Sequence, residues 1–208
     1  MPDILNQMDN RERIIEAAAE LFRTYGIKAV TMDQLACQLT MSKRTIYELF
    51  SDKDELLIGV LSWMAGKQKF MVKKVLDESE NSIVAIFKFL QLNMDHFQQM
   101  SPAFLNDIKK FHTEVLMKKA DKYEMPDYSS YIEFFERGMK EKLFRKDINP
   151  DLVNRCMVYL GRTTMDNSHY PFDIFSRREV VRNVVINYLR GISTPAGIEL
   201  INKQEMKF

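Results

Sequence analysis

The sequence predicts an all-α protein: an N-terminal three-helix head joined by a long fourth helix to a larger helical body. Three observations carry this. Apolar residues recur at three- and four-residue intervals through most of the 208 residues, the spacing of one helix face. Only 7 glycines and 6 prolines punctuate the chain. Helix-start signatures recur at Thr31/Gln34, Ser42, Ser101-Pro102, Asn149-Pro150, Ser176/Glu179 and Thr194-Pro195. In these a short polar side chain satisfies a free N–H of the first turn, or a proline occupies a position whose N–H is unbonded anyway.

Taken in order, residues 1–10 read as a tail. The first helix is expected from Asp9 or Asn10 to Tyr25, burying Ile14, Ala18, Leu21, Phe22 and Tyr25, with Gly26 closing it. The second carries Met32, Leu35, Ala36 and Leu39 on one face, and Thr40-Met41 interrupts it. Ser42 opens a third, in which Ile46 and Phe50 lie one turn apart. Ser51 with Asp54 opens the fourth, which runs to Leu76, a span of roughly 37 Å at ~1.5 Å per residue. After a polar break at 77–82, helices follow around Ile83–Phe97, from Ser101, from Tyr128 to Met139, and from Asn149-Pro150. A polar and aromatic loop at 166–175 precedes a ninth helix that Gly191 closes, and a last one ends near Asn202.

Residues Thr31 to Phe50 carry the most information. Two short helices with a tight turn, the second leaving Lys43, Arg44, Tyr47 and Glu48 outward, have the layout of a helix-turn-helix, whose second helix meets base edges in the major groove. Lys43 and Arg44 suit phosphates or a guanine edge, Thr45 a base or phosphate, and the Tyr47 hydroxyl a phosphate oxygen. Glu48 is either solvated or an acceptor for a cytosine amine. Spacing alone equally fits a helical hairpin with a solvated polar face. Farther on, the exposed N–H groups at the start of the fourth helix, with Lys53, suit a phosphate.

Residues 11–61 resemble the N-terminal domain of the TetR/AcrR-type transcriptional regulators. The resemblance lies in Leu21-Phe22-x-x-x-Gly26, Thr31, Ser42-Lys43-x-Thr45-Ile46-Tyr47-x-x-Phe50 and Lys53-x-Glu55-Leu56. It implies a DNA-binding part over 1–55 and a ligand-binding and dimerisation part over 56–208. Thr31, Ser42, Lys43, Arg44, Thr45, Tyr47 and Lys53 would then meet double-stranded operator DNA. Two positions depart from the family pattern: Glu48 stands where a second aromatic is common, and Leu49 where a histidine is common. Leu49 cannot hydrogen-bond a phosphate. The resemblance further implies a homodimer on a near-palindromic operator, with half-sites roughly 34 to 36 Å apart or a multiple of that.

Charge does not advertise nucleic-acid binding. The whole chain is +1, and residues 1–60 hold seven lysines and arginines against ten acids. The DNA reading therefore rests on where Lys43, Arg44 and Lys53 stand rather than on a basic total. No apolar run approaches the ~18 to 20 residues of a membrane span. The opening MPDILNQMDN is too polar for a signal peptide. Cys37 and Cys156 supply no disulfide framework and fit a reducing cytoplasm. His96, His112 and His169 lack metal-ligand spacing, and no phosphate loop or nucleophile elbow is present. No metal, cofactor or enzymatic activity is expected.

The body is rich in aromatics and methionine. Such side chains at helical spacing ordinarily form core, yet Phe87, Met94, Phe97, Phe104, Phe111, Tyr131, Phe134 and Phe135 together exceed what core alone accounts for. With His112 as a polar contact they are candidates for a pocket holding an apolar or aromatic effector. Val180, Val181, Val184, Val185, Ile186, Tyr188 and Leu189 cover more than one face of the ninth helix, which implies a second buried surface. The family resemblance gives that surface to a dimer interface with Met157, Tyr159, Val181, Val184, Val185 and Tyr188. Two other readings stay open: a DNA-binding dimer without a small ligand, and a helical interaction protein that binds no DNA.

Overall fold

The computed structural model describes residues 2–108, 110 and 131–208; for residues 2–9 only the backbone course is described. Among these the fold is helical, and the β pairing is a single antiparallel bridge between Phe144 and Ser193. By packing, the described residues form two units. One holds residues up to 67 together with those from 98 to 110; the other holds 68–97 and 131–208.

The first unit begins with α1 (Pro2–Tyr25). The helix starts earlier than its polar opening suggested, because Pro2 is well placed at a first helical position. Ile14, Ala18 and Phe22 are buried as expected, but Tyr25 is 61% exposed. Periodicity gives the direction in which a side chain points, not how far its neighbours extend, and Tyr25 stands in the last turn, past the edge of the core. Gly26 then takes a φ of +88°. A Cβ there would lie 2.9 Å from that of Ala103, so the residue is needed both for its backbone and for close approach.

α2 (Met32–Leu39) opens on a complete capping box: Gln34 N donates to Thr31 Oγ1, and Thr31 N donates to Gln34 Oε1. It closes on Thr40 in the left-handed region, with Met41 N bonding back to Ala36 O at 3.0 Å. α3 (Lys43–Leu49) is capped by Ser42, whose Oγ accepts from Thr45 N at 3.1 Å. α4 (Lys53–Asp77) follows. Its cap is Asp52, whose carboxylate accepts from Glu55 N at 2.7 Å, and not Ser51 as the spacing suggested. Ser51 instead donates through N and Oγ to Glu55. The helix residues 102–108, called α6, start from Ser101, whose Oγ accepts from Phe104 N. Ile14, Phe22, Leu35, Ile46, Phe50, Leu56, Leu57, Val60 and Phe104 belong to one core.

The second unit contains the rest of α4, then α5 (Ser82–Gln98) up to residue 97, α7 (Ile132–Lys140) and α8 (Pro150–Thr164). After α9 (Arg177–Val181) the helix widens into a π turn at Arg182–Ile186 and resumes as α10 (Asn187–Ile192). α11 (Pro195–Glu205) completes it. Gly191 lies inside α10 rather than ending it. Arg137 ties the 78–81 turn down, donating to the carbonyls of Leu76 and Ser79 and pairing with Glu141 at 2.7 Å. Glu205 receives Arg182, the first residue of the π turn, and Arg190 of α10. The expected cut after residue 55 and the division by packing after residue 67 both fall within α4, so this one helix runs through both units.

Candidate nucleic-acid interface

α3 is seated by its apolar side. Ile46 and Phe50 are fully buried and Ile46 follows Thr45 on the inner edge. The opposite side carries Lys43, Arg44, Tyr47 and Glu48, all exposed. Of the α3 residues expected to meet DNA, Lys43, Arg44 and Tyr47 thus stand apart from those that hold the helix. Thr45 is half-buried and its hydroxyl lies 2.8 Å from Ser42 Oγ. Thr31 and Ser42 are both engaged as caps, so each fixes the start of a helix.

The charged groups are paired within the unit. Lys43 Nζ donates to Asp33 Oδ2 at 2.9 Å, and this raises the Lys43 pKa above its ordinary value. Arg44 Nε donates to Glu48 Oε1 at 2.9 Å, one turn along α3. Glu48 is therefore neither simply solvated nor buried; it answers the guanidinium beside it. The i,i+4 spacing of Arg44 and Glu48 was visible in the sequence, whereas the partnership of Asp33 with Lys43 needed the angle between α2 and α3.

Lys53 departs from the expectation of an outward phosphate contact. Its ammonium donates to the carbonyls of Lys28 and Val30 and lies 5.9 Å from the Phe22 ring centroid. Burial lowers its pKa, with Asp107 and Asp54 opposing that shift. A lysine has three donors and a long stem; here both are used to brace the turn after α1. Asp107, unremarked in the sequence, braces the same turn by accepting from Lys28 N at 2.9 Å.

The candidate effector residues do not converge. Phe104 lies in the core of the first unit, which removes it from a pocket in the second. Phe87 packs edge-on to Phe208 at 5.7 Å, and Phe135 lies 5.6 Å from Phe144, both within the second core. Phe97 meets Phe172, which in turn lies under the Arg177 guanidinium. Phe111 and His112 fall outside the described residues. Met94 is buried in the second core, whereas Tyr131 and Phe134 lie at a polar chain that the sequence did not suggest. In it Tyr131 donates to Gln68 Oε1, Gln68 Nε2 to Asn93 Oδ1 at 3.2 Å, and Asn93 Nδ2 to Phe89 O at 2.8 Å. The Phe89 ring lies 5.1 Å from that of Tyr131 and 5.4 Å from that of Phe134.

The expected dimer residues divide in two. Val181 and Val185 are 2% exposed and belong to the chain's own core, so they are corrected from a second surface to the first. Met157, Val184 and Tyr188 are half-buried and Tyr159 is 66% exposed. Val181 and Val185, four residues apart, share the inward face of this run, while Val184 and Tyr188, also four apart, share a less buried one. Burial, with a hydrogen bond to Cys156, pushes the Tyr188 pKa up to about 12.

Among the described residues no group of three or more His, Cys, Asp or Glu is placed to hold a metal ion. No helix among them is long and apolar enough to cross a membrane.

Residues 14–60 match the family described as bacterial regulatory proteins, tetR family. The chain is 27% identical over 194 residues to the uncharacterized HTH-type transcriptional regulator YhgD of Bacillus subtilis, covering 89% of this chain and 98% of that protein. It is 21% identical over 160 residues to the HTH-type transcriptional repressor KstR2 of Mycobacterium tuberculosis, covering 74% and 80% respectively. Among solved structures, RolR in complex with the ligand resorcinol superposes with a TM-score of 0.68 at 15% identity, over 97% of this chain and 95% of that one.

Proposed function

We propose, on the premise that residues 14–60 match the TetR family of regulators, that the chain is a DNA-binding transcriptional regulator of that kind and acts in the cytoplasm as a homodimeric repressor released by a small molecule. Each copy would present residues 42–48 to a major groove of a near-palindromic operator. The observation that carries this reading is α3 itself: Ile46 and Phe50 are fully buried beneath it while Lys43, Arg44 and Tyr47 stand outward. The similar protein KstR2 is a repressor, which favours repression.

The effector is a compact aromatic or largely apolar molecule carrying a hydrogen-bonding group. The Tyr131–Gln68–Asn93 chain beside Phe89 and Phe134 supports this, since a few polar groups in an apolar setting are what fix a ligand's orientation. The structurally similar RolR binds resorcinol, a small aromatic diol. Dimerisation uses Tyr159, Met157, Val184 and Tyr188 on α8 and the α9–α10 helix. α4, shared by both units, is the element through which an effector would change the DNA-binding unit. A ligand does so only by binding the two states unequally.

The test is a gel shift with the DNA flanking the chain's own gene, repeated with an effector found by thermal-shift screening of phenolic and apolar compounds. Retarded DNA that the effector releases is the expected result. Retardation unaffected by every stabilising compound would reduce the reading to a dimeric DNA-binding protein without a small ligand.

A further inference from the structure

Both cations on the outward side of α3 are already engaged before any DNA arrives. Lys43 is held by Asp33 and Arg44 by Glu48, each at 2.9 Å. All four side chains are exposed, from 47% for Lys43 to 88% for Arg44, so neither pair is needed to hold the fold. In the Arg44–Glu48 pair the base precedes the acid, the weaker order for an i,i+4 pair on a helix. These are contacts that open readily and have another use.

We propose that Asp33 and Glu48 are specificity-determining residues: they occupy Lys43 and Arg44 in the free protein and thereby suppress binding to DNA that offers phosphate charge alone. The proposal rests on the DNA-binding reading. On a random duplex, moving Lys43 from Asp33 to a phosphate exchanges one ion pair for another and leaves a bare carboxylate facing the phosphates. The same holds for Arg44 and Glu48. On the operator the exchange is different. Arg44 can gain two hydrogen bonds to a guanine edge, and Glu48 can accept from a cytosine amine instead of standing unpaired. Cognate sequence thus opens the pairs and non-cognate sequence does not. The acid excess of residues 1–60, seven cations against ten anions, acts in the same direction.

The experiment begins with selection of duplexes from a random library by the wild-type full chain. Affinities of wild type, Asp33→Asn and Glu48→Gln are then measured by fluorescence anisotropy on the enriched duplex and on a random-sequence pool, at several salt concentrations. Glu199→Gln serves as the control for net charge, because Glu199 is likewise paired to a cation four residues on, Lys203 at 2.7 Å, but lies on α11. Asp33→Asn and Glu48→Gln should each tighten the random pool roughly two- to fivefold, the scale of an exposed ion pair. The salt slope should steepen by about 0.9 for each phosphate newly contacted. The enriched duplex should gain less, or lose for Glu48→Gln, so the ratio of the two affinities falls. Unchanged random-pool affinity overturns the proposal, as do equal gains on both duplexes or the same gain from Glu199→Gln. Failure of the wild type to enrich any sequence would overturn the DNA-binding reading together with the proposal. Enrichment followed by unmoved variants overturns the proposal alone.

Discussion

Replacing Phe104 by alanine separates two accounts of that ring. It is 1% exposed and shares the first unit's core with Phe22, Ile46, Phe50 and Leu57. Deleting a buried phenyl ring costs about 3–5 kcal/mol, the transfer term plus the cavity left behind. That is a large part of the ~5–15 kcal/mol by which domains are stable. With a urea dependence of ~1–3 kcal/mol per molar, the midpoint should fall by roughly 2 M. Trp63 makes the measurement local: it is the sole tryptophan and packs against this same core. Its fluorescence in a urea titration therefore follows the first unit. A Trp63 midpoint moved by less than about 0.3 M, with weakened effector binding, would refute the core assignment and return Phe104 to a ligand site.

Four further outcomes are expected. Arg44→Ala should weaken operator binding by about 1–3 kcal/mol and relax sequence preference, measured by competition with point-mutated operators; equal loss on random DNA would show that Arg44 reads no base. Gly138→Ala should lower stability by at least ~1–3 kcal/mol, seen by calorimetry, because its Cβ would fall 2.3 Å from the Phe144 ring and 2.6 Å from Ser82 Oγ. Thr40→Gly should raise the Trp63 midpoint, by up to ~1 kcal/mol in stability, since a β-branched residue at φ 55° is strained and glycine is not. Tyr188 binds its proton more tightly folded than unfolded, so its stabilisation is intact below the ordinary phenol value of 10 and is lost as pH rises through about 12. Thermal melts across that range should therefore fall less steeply for Tyr188→Phe than for wild type.

Much of the head was legible because its cues are local. Thr31 with Gln34, Ser42 before Lys43, and Ile46 with Phe50 each state a cap or a face within one turn of helix. The same locality explains the misses. Ser51 and Asp52 are both good caps, and only the fold decides between them. Lys53 has a long stem whose direction depends on the carbonyls of Lys28 and Val30, many residues away. In the body, aromatic content signalled burial correctly but could not divide it. Phe104 and Phe134 look alike in sequence and lie in different cores. The polar chain through Gln68, Asn93 and Tyr131 joins three separated helical segments, so no spacing announces it. Val181 and Val185 were given to a partner because the run is apolar on more than one face, and nothing in its spacing says which face meets the chain's own core.

The return of α6 to the first unit bears on how this protein can be taken apart. Ser101 N donates to Arg23 O at 2.9 Å, Asp107 holds Lys28, and Phe104 fills the middle. The first unit is thus assembled from two stretches of chain that are not neighbours along it. Grafting it onto another sensor by a single splice in α4 would leave behind a piece of its own interior, and a working chimera would have to carry residues 98–108 as well.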